Sequence, residues 1–156
     1  MSLGIEVVGL PAPQGSKRHV GNGVMVESSK RVRLWREAVK HAALDHQPYA
    51  PLLGAVDVSV VFRFPRPKGH YRTGRNAHLL REDAPTYVTS RPDLDKILRS
   101  TFDALGEAGV WRDDSQVVRV CASKVYADAR PAGATVQLCD LHAGYGDPLE
   151  AKDGAA

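Results

Sequence analysis

Two pairs of aspartates stand on either side of a predicted helix in this sequence. Asp93 and Asp95 lie where the helix is expected to begin, and Asp113 and Asp114 follow several residues after its end. Carboxylate oxygens are the ligands that Mg²⁺ prefers, and a bound Mg²⁺ ion can activate water and orient a phosphodiester. If the next strand runs back alongside the helix, the second pair comes close to the first. The four aspartates therefore indicate a site for one or two hard cations.

The same aspartates also have an ordinary structural explanation. Asp93 suits the N-cap position of the helix, and Asp95 favours the positive end of the helix dipole. Asp95 can also pair with Arg99 one turn later, and Asp113 with Asp114 suits a turn. Spacing alone leaves both explanations open. The structural explanation does not account for two acidic pairs beside a segment that is otherwise basic.

Charge is unevenly distributed along the 156 residues, although the net charge is only +3. Residues 1–100 carry 16 Lys and Arg against 9 Asp and Glu, whereas residues 101–156 carry 5 against 9. The first part can therefore present a positive surface to a polyanion. A long predicted loop, residues 65–90, holds several of these cations with Tyr71 and Tyr87 between them. We call it the basic loop; its composition fits nucleic-acid contact or a solvated insertion.

Hydrophobic periodicity predicts two helices and several strands. Strands are expected over residues 5–10, 56–64, 116–126 and 134–138, a hairpin turn at 22–23, and helices from 28 or 29 to about 41–44 and from 93 onwards. This order predicts an α+β fold, with two helices packed on a mixed or antiparallel sheet. We expect one domain over residues 1–141, and a frayed tail over residues 142–156.

The composition excludes several classes of protein. Hydrophobic residues at 43% and charged residues at 25% are globular values and exclude wholesale disorder. No apolar run approaches a membrane span, and the first residues lack the pattern of a signal peptide, so we expect a cytoplasmic protein without a membrane partner. Cys121 and Cys139 are expected to lie on strands and to stay reduced. Trp35 and Trp111 are expected to belong to the core. The six histidines show no zinc-ligand spacing.

Three short segments follow one another in a recognisable order. They are Arg91-Pro92-Asp93-Leu94-Asp95, then Phe102-Asp103-Ala104-Leu105, then Val110-Trp111-Arg112-Asp113-Asp114-Ser115-Gln116-Val117. Together they resemble the RusA family of Holliday junction resolvases, whose signature is an Asp-x-Asp helix start, a following Asp-Ala-Leu and an Asp-Asp-x-Gln-Val strand entry. The close resemblance covers residues 91–124, and residues 11–36 are similar, less specifically, to phage-carried members of the family.

The resemblance implies a Mg²⁺-dependent homodimeric endonuclease that nicks four-way DNA junctions symmetrically, with Mn²⁺ as a substitute ion. It implies Asp93, Asp95 and Asp114 as essential metal ligands, and Asp113 as the other member of its pair with a less defined role. The family commonly has Asn after the second aspartate and Lys four residues beyond it. Here Lys96 and Arg99 occupy those positions, so either one can be the cation that stabilises charge on the phosphate.

The basic segments supply candidate contacts to DNA phosphates, which position the nucleic acid without reading its sequence. The candidates are Lys17, Arg18, Arg66, Lys68, Arg72, Arg75 and Arg91, with Lys124 as a secondary candidate near the end of a strand. Two other functions remain open on the same residues. One is a branched-DNA-binding protein that no longer cleaves, and the other is a metal nuclease that acts on flaps or forks.

Overall fold

The computed structural model describes residues 2–15, 30–46 and 50–141, together with the backbone of residues 18–19 and 25–26. In chain order the elements are β1 (Ser2–Val8), β2 (Arg18–His19), β3 (Met25–Val26), α1 (Lys30–His46), β4 (Val56–Phe64), α2 (Leu94–Glu107), β5 (Val117–Tyr126) and β6 (Gly133–Asp140). The predicted order of strands, helices and loop is confirmed, and β2 and β3 pair on either side of the predicted hairpin turn. The turn itself, at 22–23, and the predicted start of the first helix at 28 or 29 lie outside the described residues. The predicted tail, residues 142–156, lies outside the described residues.

The main sheet has four strands in the order β1-β6-β4-β5. Strand β6 is antiparallel to both β1 and β4, whereas β4 and β5 are parallel. The sheet is therefore mixed, and the α+β prediction is confirmed. A parallel pair needs a long crossover connection, and here the crossover consists of the basic loop followed by α2. Strands β2 and β3 form a separate antiparallel pair.

The two helices cover one face of the sheet. Helix α1 buries Val32, Trp35 and Val39 against strand residues such as Phe62, and Trp35 donates a hydrogen bond to the Thr101 hydroxyl on α2 over 3.1 Å. Trp35 and Trp111 are both almost fully buried, as predicted. Neither described helix carries an apolar stretch long enough to cross a membrane.

The two cysteines are free and exposed on β5 and β6. Strand β4 lies between those two strands, which places Cys121 and Cys139 roughly 10 Å apart across the sheet. A disulfide needs Cα atoms closer than about 7 Å. The sheet order itself therefore keeps these thiols from pairing with each other.

Candidate active site

The first acidic pair lies at the amino end of α2. Asp93 occupies the N-cap position with an extended backbone, but its side chain does not cap the helix. Instead its carboxylate pairs with Lys96 Nζ over 3.0 Å. This bond to Lys96, helped by the charges of Lys96, Arg91 and Lys124, holds the pKa of Asp93 below its ordinary value. Asp95 is exposed in the first turn of the helix.

The second acidic pair lies in a short 3₁₀ turn directly before β5. Asp113 accepts a hydrogen bond from the Ser115 backbone N–H at 2.8 Å. The Ser115 side chain, by hydrogen bonding, and then this backbone bond lower the pKa of Asp113. The Gln116 side chain returns the contact by accepting from the Asp113 backbone N–H, which completes a capping box. Asp114 accepts a hydrogen bond from Trp111 Nε1 at 2.8 Å and is otherwise exposed. The side chain and the backbone N–H of Asp113 thus both form hydrogen bonds within the turn, whereas Asp114 accepts one hydrogen bond through a single carboxylate oxygen.

The two acidic pairs lie at opposite ends of α2. A Cβ placed on Gly106 would lie 3.4 Å from Asp114 Oδ1, so Asp114 sits beside the last turn of the helix. Gly106 follows Asp95 by eleven residues, which is about three turns and about 16 Å along the axis. Across the described part of the chain, no three acidic, histidine or cysteine side chains come close enough to hold a metal ion. The expectation that the second pair folds back beside the first is therefore wrong within one chain.

The parallel pairing of β4 and β5 explains this separation. Because β5 runs in the same direction as β4, the chain must return along α2 to the end of the sheet at which β4 begins, so that β5 can start there as well. Asp93 and Asp95 lie where the crossover reaches α2, at the carboxyl ends of these strands. Asp113 and Asp114 lie at the amino end of β5. The acidic pairs consequently lie at opposite ends of the strands, one at the carboxyl ends and one at the amino ends of β4 and β5.

The two candidate catalytic cations have different surroundings. Lys96 is occupied by its ion pair with Asp93, and both side chains are about half exposed. Arg99 is exposed one turn after Asp95, and the residues that the structure describes show no ion pair between them. The Arg99 guanidinium is therefore available to an incoming phosphate, whereas Lys96 first has to leave Asp93.

Lys124 supports the segment that leads to Asp93. Its Nζ donates hydrogen bonds of 2.8 Å to the backbone carbonyls of Ser90 and Pro92. The Val88 backbone N–H also donates to the Lys124 carbonyl at 3.1 Å. Lys124, expected as a secondary contact to phosphate, is thus bound to the protein backbone through both its side chain and its main chain.

The basic loop is ordered and stands largely apart from the core. Its two 3₁₀ turns, Lys68–His70 and Gly74–Asn76, contain no buried residue, and an antiparallel bridge joins Tyr71 to Leu80. Arg72 lies 3.8 Å from a Glu82 carboxylate oxygen, so its charge is partly offset. Lys68 and Arg75 are exposed and form no ion pair with any residue of the described ranges. These two side chains are the ones best placed to meet a polyanion.

Arg66 is turned inward at the base of this loop. Its guanidinium makes two hydrogen bonds of 2.6 and 2.7 Å to Asp128 and lies 4.4 Å from the centre of the Tyr126 ring. Only 4% of its side chain is exposed. The bond to Asp128 raises the pKa of Arg66 and lowers the pKa of Asp128. This placement gives Arg66 a structural role, because a DNA contact would first require its release from Asp128.

The structure describes the remaining candidates for DNA contact to different extents. Arg91 is exposed beside Asp93. Lys17 lies outside the described residues, and of Arg18 only the backbone in β2 is described. These two positions therefore remain predictions.

The acidic end of α2 borders a cleft of about 630 Å³, which we call the Asp93 cleft. It is lined by residues 10–15, which follow β1, and by Arg31, Phe64, Arg91, Pro92, Asp93 and Lys96. A second cleft of about 470 Å³, the Asp114 cleft, includes Gln14, Asp103, Glu107 and Trp111. Gln14 borders both clefts. Gln14 and Arg31 were not predicted as site residues, because nothing local in the sequence connects them with aspartates some 60 to 80 positions later.

The fold and the site define a two-layer α+β protein in which acidic side chains lie at both ends of one helix and an exposed basic loop leads to its amino end. The family model described as endodeoxyribonuclease RusA matches residues 8–138. The chain belongs to this family of endodeoxyribonucleases. It is also 30% identical to the uncharacterized protein YqaN of Bacillus subtilis strain 168 over 124 aligned residues. The aligned region covers 78% of this chain and 86% of YqaN.

Proposed function

We propose that this protein is a Mg²⁺-dependent homodimeric endonuclease that resolves four-way DNA junctions by paired symmetric nicks. The observation that carries the proposal is the family match over residues 8–138, within which Asp93, Asp95 and Asp114 are all exposed. Exposed carboxylates can reach a phosphodiester only when a cation offsets their charge, since bare carboxylates repel phosphate. The basic loop, with Lys68 and Arg75, would hold the DNA backbone near these acids.

The metal requirement bears directly on the oligomeric state. One chain supplies Asp93 and Asp95 at one end of α2 and Asp114 at the other, and its described residues contain no complete set of ligands. We therefore propose that each ion is held by Asp93 and Asp95 of one protomer together with Asp114 of its partner. Bound there, Mg²⁺ would supply a Lewis acid next to the phosphate.

A two-fold axis across the middle of α2 would bring these acids together. Asp95 and Gly106 lie on the same face of the helix, because eleven residues are close to three full turns. Two copies of α2 packed antiparallel on this face would place Asp95 of one copy opposite Gly106 and Asp114 of the other. Leu98 and Phe102, both half-buried, lie between these ends and would face their symmetry mates.

The same arrangement fits the symmetry of a four-way junction. Two equivalent sites related by a two-fold axis can cut two opposed strands in the same way. Arg99, exposed near Asp95, would stabilise negative charge that develops on the phosphate. We assign this role to Arg99 in preference to Lys96, because Lys96 is paired with Asp93.

The test uses a labelled synthetic four-way junction with wild-type protein and Asp95→Asn, each in Mg²⁺, Mn²⁺ or EDTA. Asp45→Asn is the matched control, because Asp45 is an exposed carboxylate on α1 far along the chain from the motif. We expect paired symmetric nicks that require both the ion and Asp95, with the control variant fully active. Wild-type cleavage by Asp95→Asn would refute the site assignment.

The same experiment separates the other two functions. Tight binding to the junction without nicks in either ion would indicate a branched-DNA-binding protein that does not cleave. Faster cutting of flaps or forks than of four-way junctions, compared at equal salt, would indicate a nuclease for other branched DNA. Equal salt is needed because the affinity of cationic proteins for any DNA falls steeply with ionic strength.

A further inference from the structure

We infer that the Asp93 cleft receives one unstacked base of the DNA and that Gln14 recognises this base. The inference rests on the proposed function as a DNA endonuclease and assigns to the protein a base-binding site next to the cleaved phosphodiester. Three features of the cleft carry it: the apolar floor, the cationic rim and a buried oxygen atom without a partner.

The floor of the cleft suits the flat face of a base. Pro11 and Ala12 are buried beneath it, and Phe64 is 7% exposed. Leu10, 48% exposed, lies at its edge. The volume of about 630 Å³ falls within the range of roughly 300–1,000 Å³ found for small-molecule sites. An apolar floor of this size lowers the cost of removing a base from the stack, a cost of a few kcal/mol in duplex DNA.

The rim of the cleft suits the phosphates on either side of such a base. Arg31 from α1 and Arg91 beside α2 are both exposed and line the cleft together with Lys96. Guanidinium groups bind phosphate oxygens in a bidentate manner. Asp93 lines the same cleft, so a base held there would place an adjacent phosphodiester close to the first acidic pair.

The segment that carries Gln14 is held firmly against α2. The Gln14 backbone N–H donates to the Lys96 carbonyl at 3.0 Å, and Ser100 Oγ donates to the Ala12 carbonyl at 2.6 Å. Residues 12–14 are thus fastened at two points to the helix that begins at the acidic pair. A side chain on such a segment is positioned before the ligand arrives, which reduces the entropy lost on binding.

Gln14 has an unused hydrogen-bonding group. Its Oε1 atom is buried and has no hydrogen-bond partner among the described residues. Buried side-chain oxygens are normally satisfied, and an unsatisfied one destabilises the fold. The Watson–Crick edge of every unpaired base carries an N–H group that can donate to this oxygen, either an exocyclic amino group in adenine, cytosine and guanine or the ring N3–H in thymine. We therefore expect the base that enters the cleft to donate a hydrogen bond to Gln14 Oε1.

The first measurement follows the base itself and needs no variant. Four-way junctions carry 2-aminopurine at one position at a time around the mapped cleavage site, and wild-type protein is added with Ca²⁺ in place of Mg²⁺ to slow cleavage. Unstacking relieves the quenching of 2-aminopurine. We expect a severalfold rise in fluorescence at one position next to the cleaved bond, and no comparable rise at the positions further away.

The second measurement tests Gln14 with the variant Gln14→Met, which keeps the length of the side chain and removes the oxygen. The control is Gln137→Met, because Gln137 is exposed on the sheet face opposite the helices. We expect Gln14→Met to raise about tenfold the protein concentration that gives half of the 2-aminopurine fluorescence rise, with an unchanged or higher Tm since the unsatisfied oxygen is gone. The control should retain both the wild-type fluorescence titration and the wild-type Tm.

The outcomes distinguish this inference from the proposed function. If wild-type protein cuts the junction but 2-aminopurine stays quenched at every position, the base site is refuted while the nuclease function stands. The role of Gln14 is likewise refuted if Gln14→Met folds and gives the same fluorescence titration as wild-type protein. If the protein neither binds nor cuts branched DNA, the proposed function and the base site both fail.

Discussion

Residue type alone did not separate the cations that face solvent from those that stabilise the fold. Arg66 and Lys68 are two positions apart in one basic segment, yet only Lys68 is exposed. Arg66 joins the basic loop to Asp128, which follows β5, and also donates to the Pro85 carbonyl at 2.8 Å. A bidentate pair of this kind is geometrically specific and stronger than a typical exposed ion pair. Arg66 therefore fixes the base of the loop.

The Arg66–Asp128 pair makes the titration of one carboxyl group predictable. Arg66 lowers the pKa of Asp128 below its ordinary value of 3.8. This pair therefore contributes stability above the unfolded pKa, and the contribution is lost as the pH falls through the lower folded pKa. In Arg66→Met we expect the pKa of Asp128 to return towards 3.8, measured by NMR titration of the carboxyl carbons.

Asp83 provides the internal control for this titration. Its pKa is also lowered, by the side-chain hydrogen bond from Arg81 within the same loop. The pKa of Asp83 should stay low in Arg66→Met, because Arg81 is untouched. An unchanged Asp128 titration in the variant would contradict the role assigned to Arg66.

The parallel crossover between β4 and β5 determines how the segments around α2 are supported. The end of β5 lies beside the entry to the helix, since an isolated bridge joins Val125 to Tyr87. Lys124 lies next to this bridge and binds the Ser90 and Pro92 carbonyls directly before Asp93. The strand thus holds in place the segment that precedes the first acidic pair.

Lys124→Met should loosen this segment without changing the core. Two hydrogen bonds are lost, for which we expect a cost of about 1–2 kcal/mol and a fall in Tm of about 2–8 °C. Junction cleavage should fall as well, because Asp93 is less well positioned, while the affinity for the junction stays close to that of wild type.

Lys68→Met is the matched control for this experiment. Lys68 is exposed in the basic loop, so its replacement should weaken junction binding and leave the Tm unchanged. The two variants are compared by thermal denaturation, by junction binding and by cleavage under saturating protein. If Lys124→Met behaved like Lys68→Met, Lys124 would be a phosphate contact and not a support of the acidic pair.

The proposed homodimer follows from the distance between the acidic pairs. Helix α2 keeps Asp95 and Asp114 about 16 Å apart along its axis, too far for one ion to bind both. An antiparallel contact between two copies of α2 would unite Asp95 of one copy with Asp114 of the other. Such a dimer has two equivalent sites, each built from both protomers.

Mixing two inactive variants tests this shared site. Asp95→Asn and Asp114→Asn are each expected to be inactive, since each removes one ligand from both sites. After subunit exchange, a mixed dimer carries both substitutions in one site and none in the other. We expect nicking to return to about a quarter of the wild-type level, as single nicks, because half of the dimers are mixed and each has one intact site.

A separate measurement checks that the variants still assemble. Both should elute as dimers in size-exclusion chromatography with light scattering, as the wild type is expected to do. If the mixture stayed inactive although the protomers exchange, each site would belong to one chain and the proposed two-fold arrangement would be wrong.

The order of elements could be predicted from the sequence because it depends on local patterns. Alternating apolar residues mark β4, and a stripe that includes Val32, Trp35 and Val39 marks α1. Helix α2 begins after Asp93 as its motif indicates. Each pattern arises because one side of the segment faces the core, so it can be recognised in the sequence of that segment alone. The edges of elements were less predictable, since β1 begins at Ser2 and ends at Val8.

For the candidate site, the chemistry of the residues could be predicted from the sequence, whereas their arrangement in space could not. The acidic character of Asp93, Asp95 and Asp114 could be read from the motif, because the residue types themselves carry the chemistry. Their separation could not, because it depends on the parallel pairing of β4 with β5, which places the two ends of α2 at opposite ends of these strands. The inward turn of Arg66 and the position of Gln14 depend likewise on partners distant in the chain. Local sequence carries propensity, whereas contacts between distant segments arise only when the chain closes around its core.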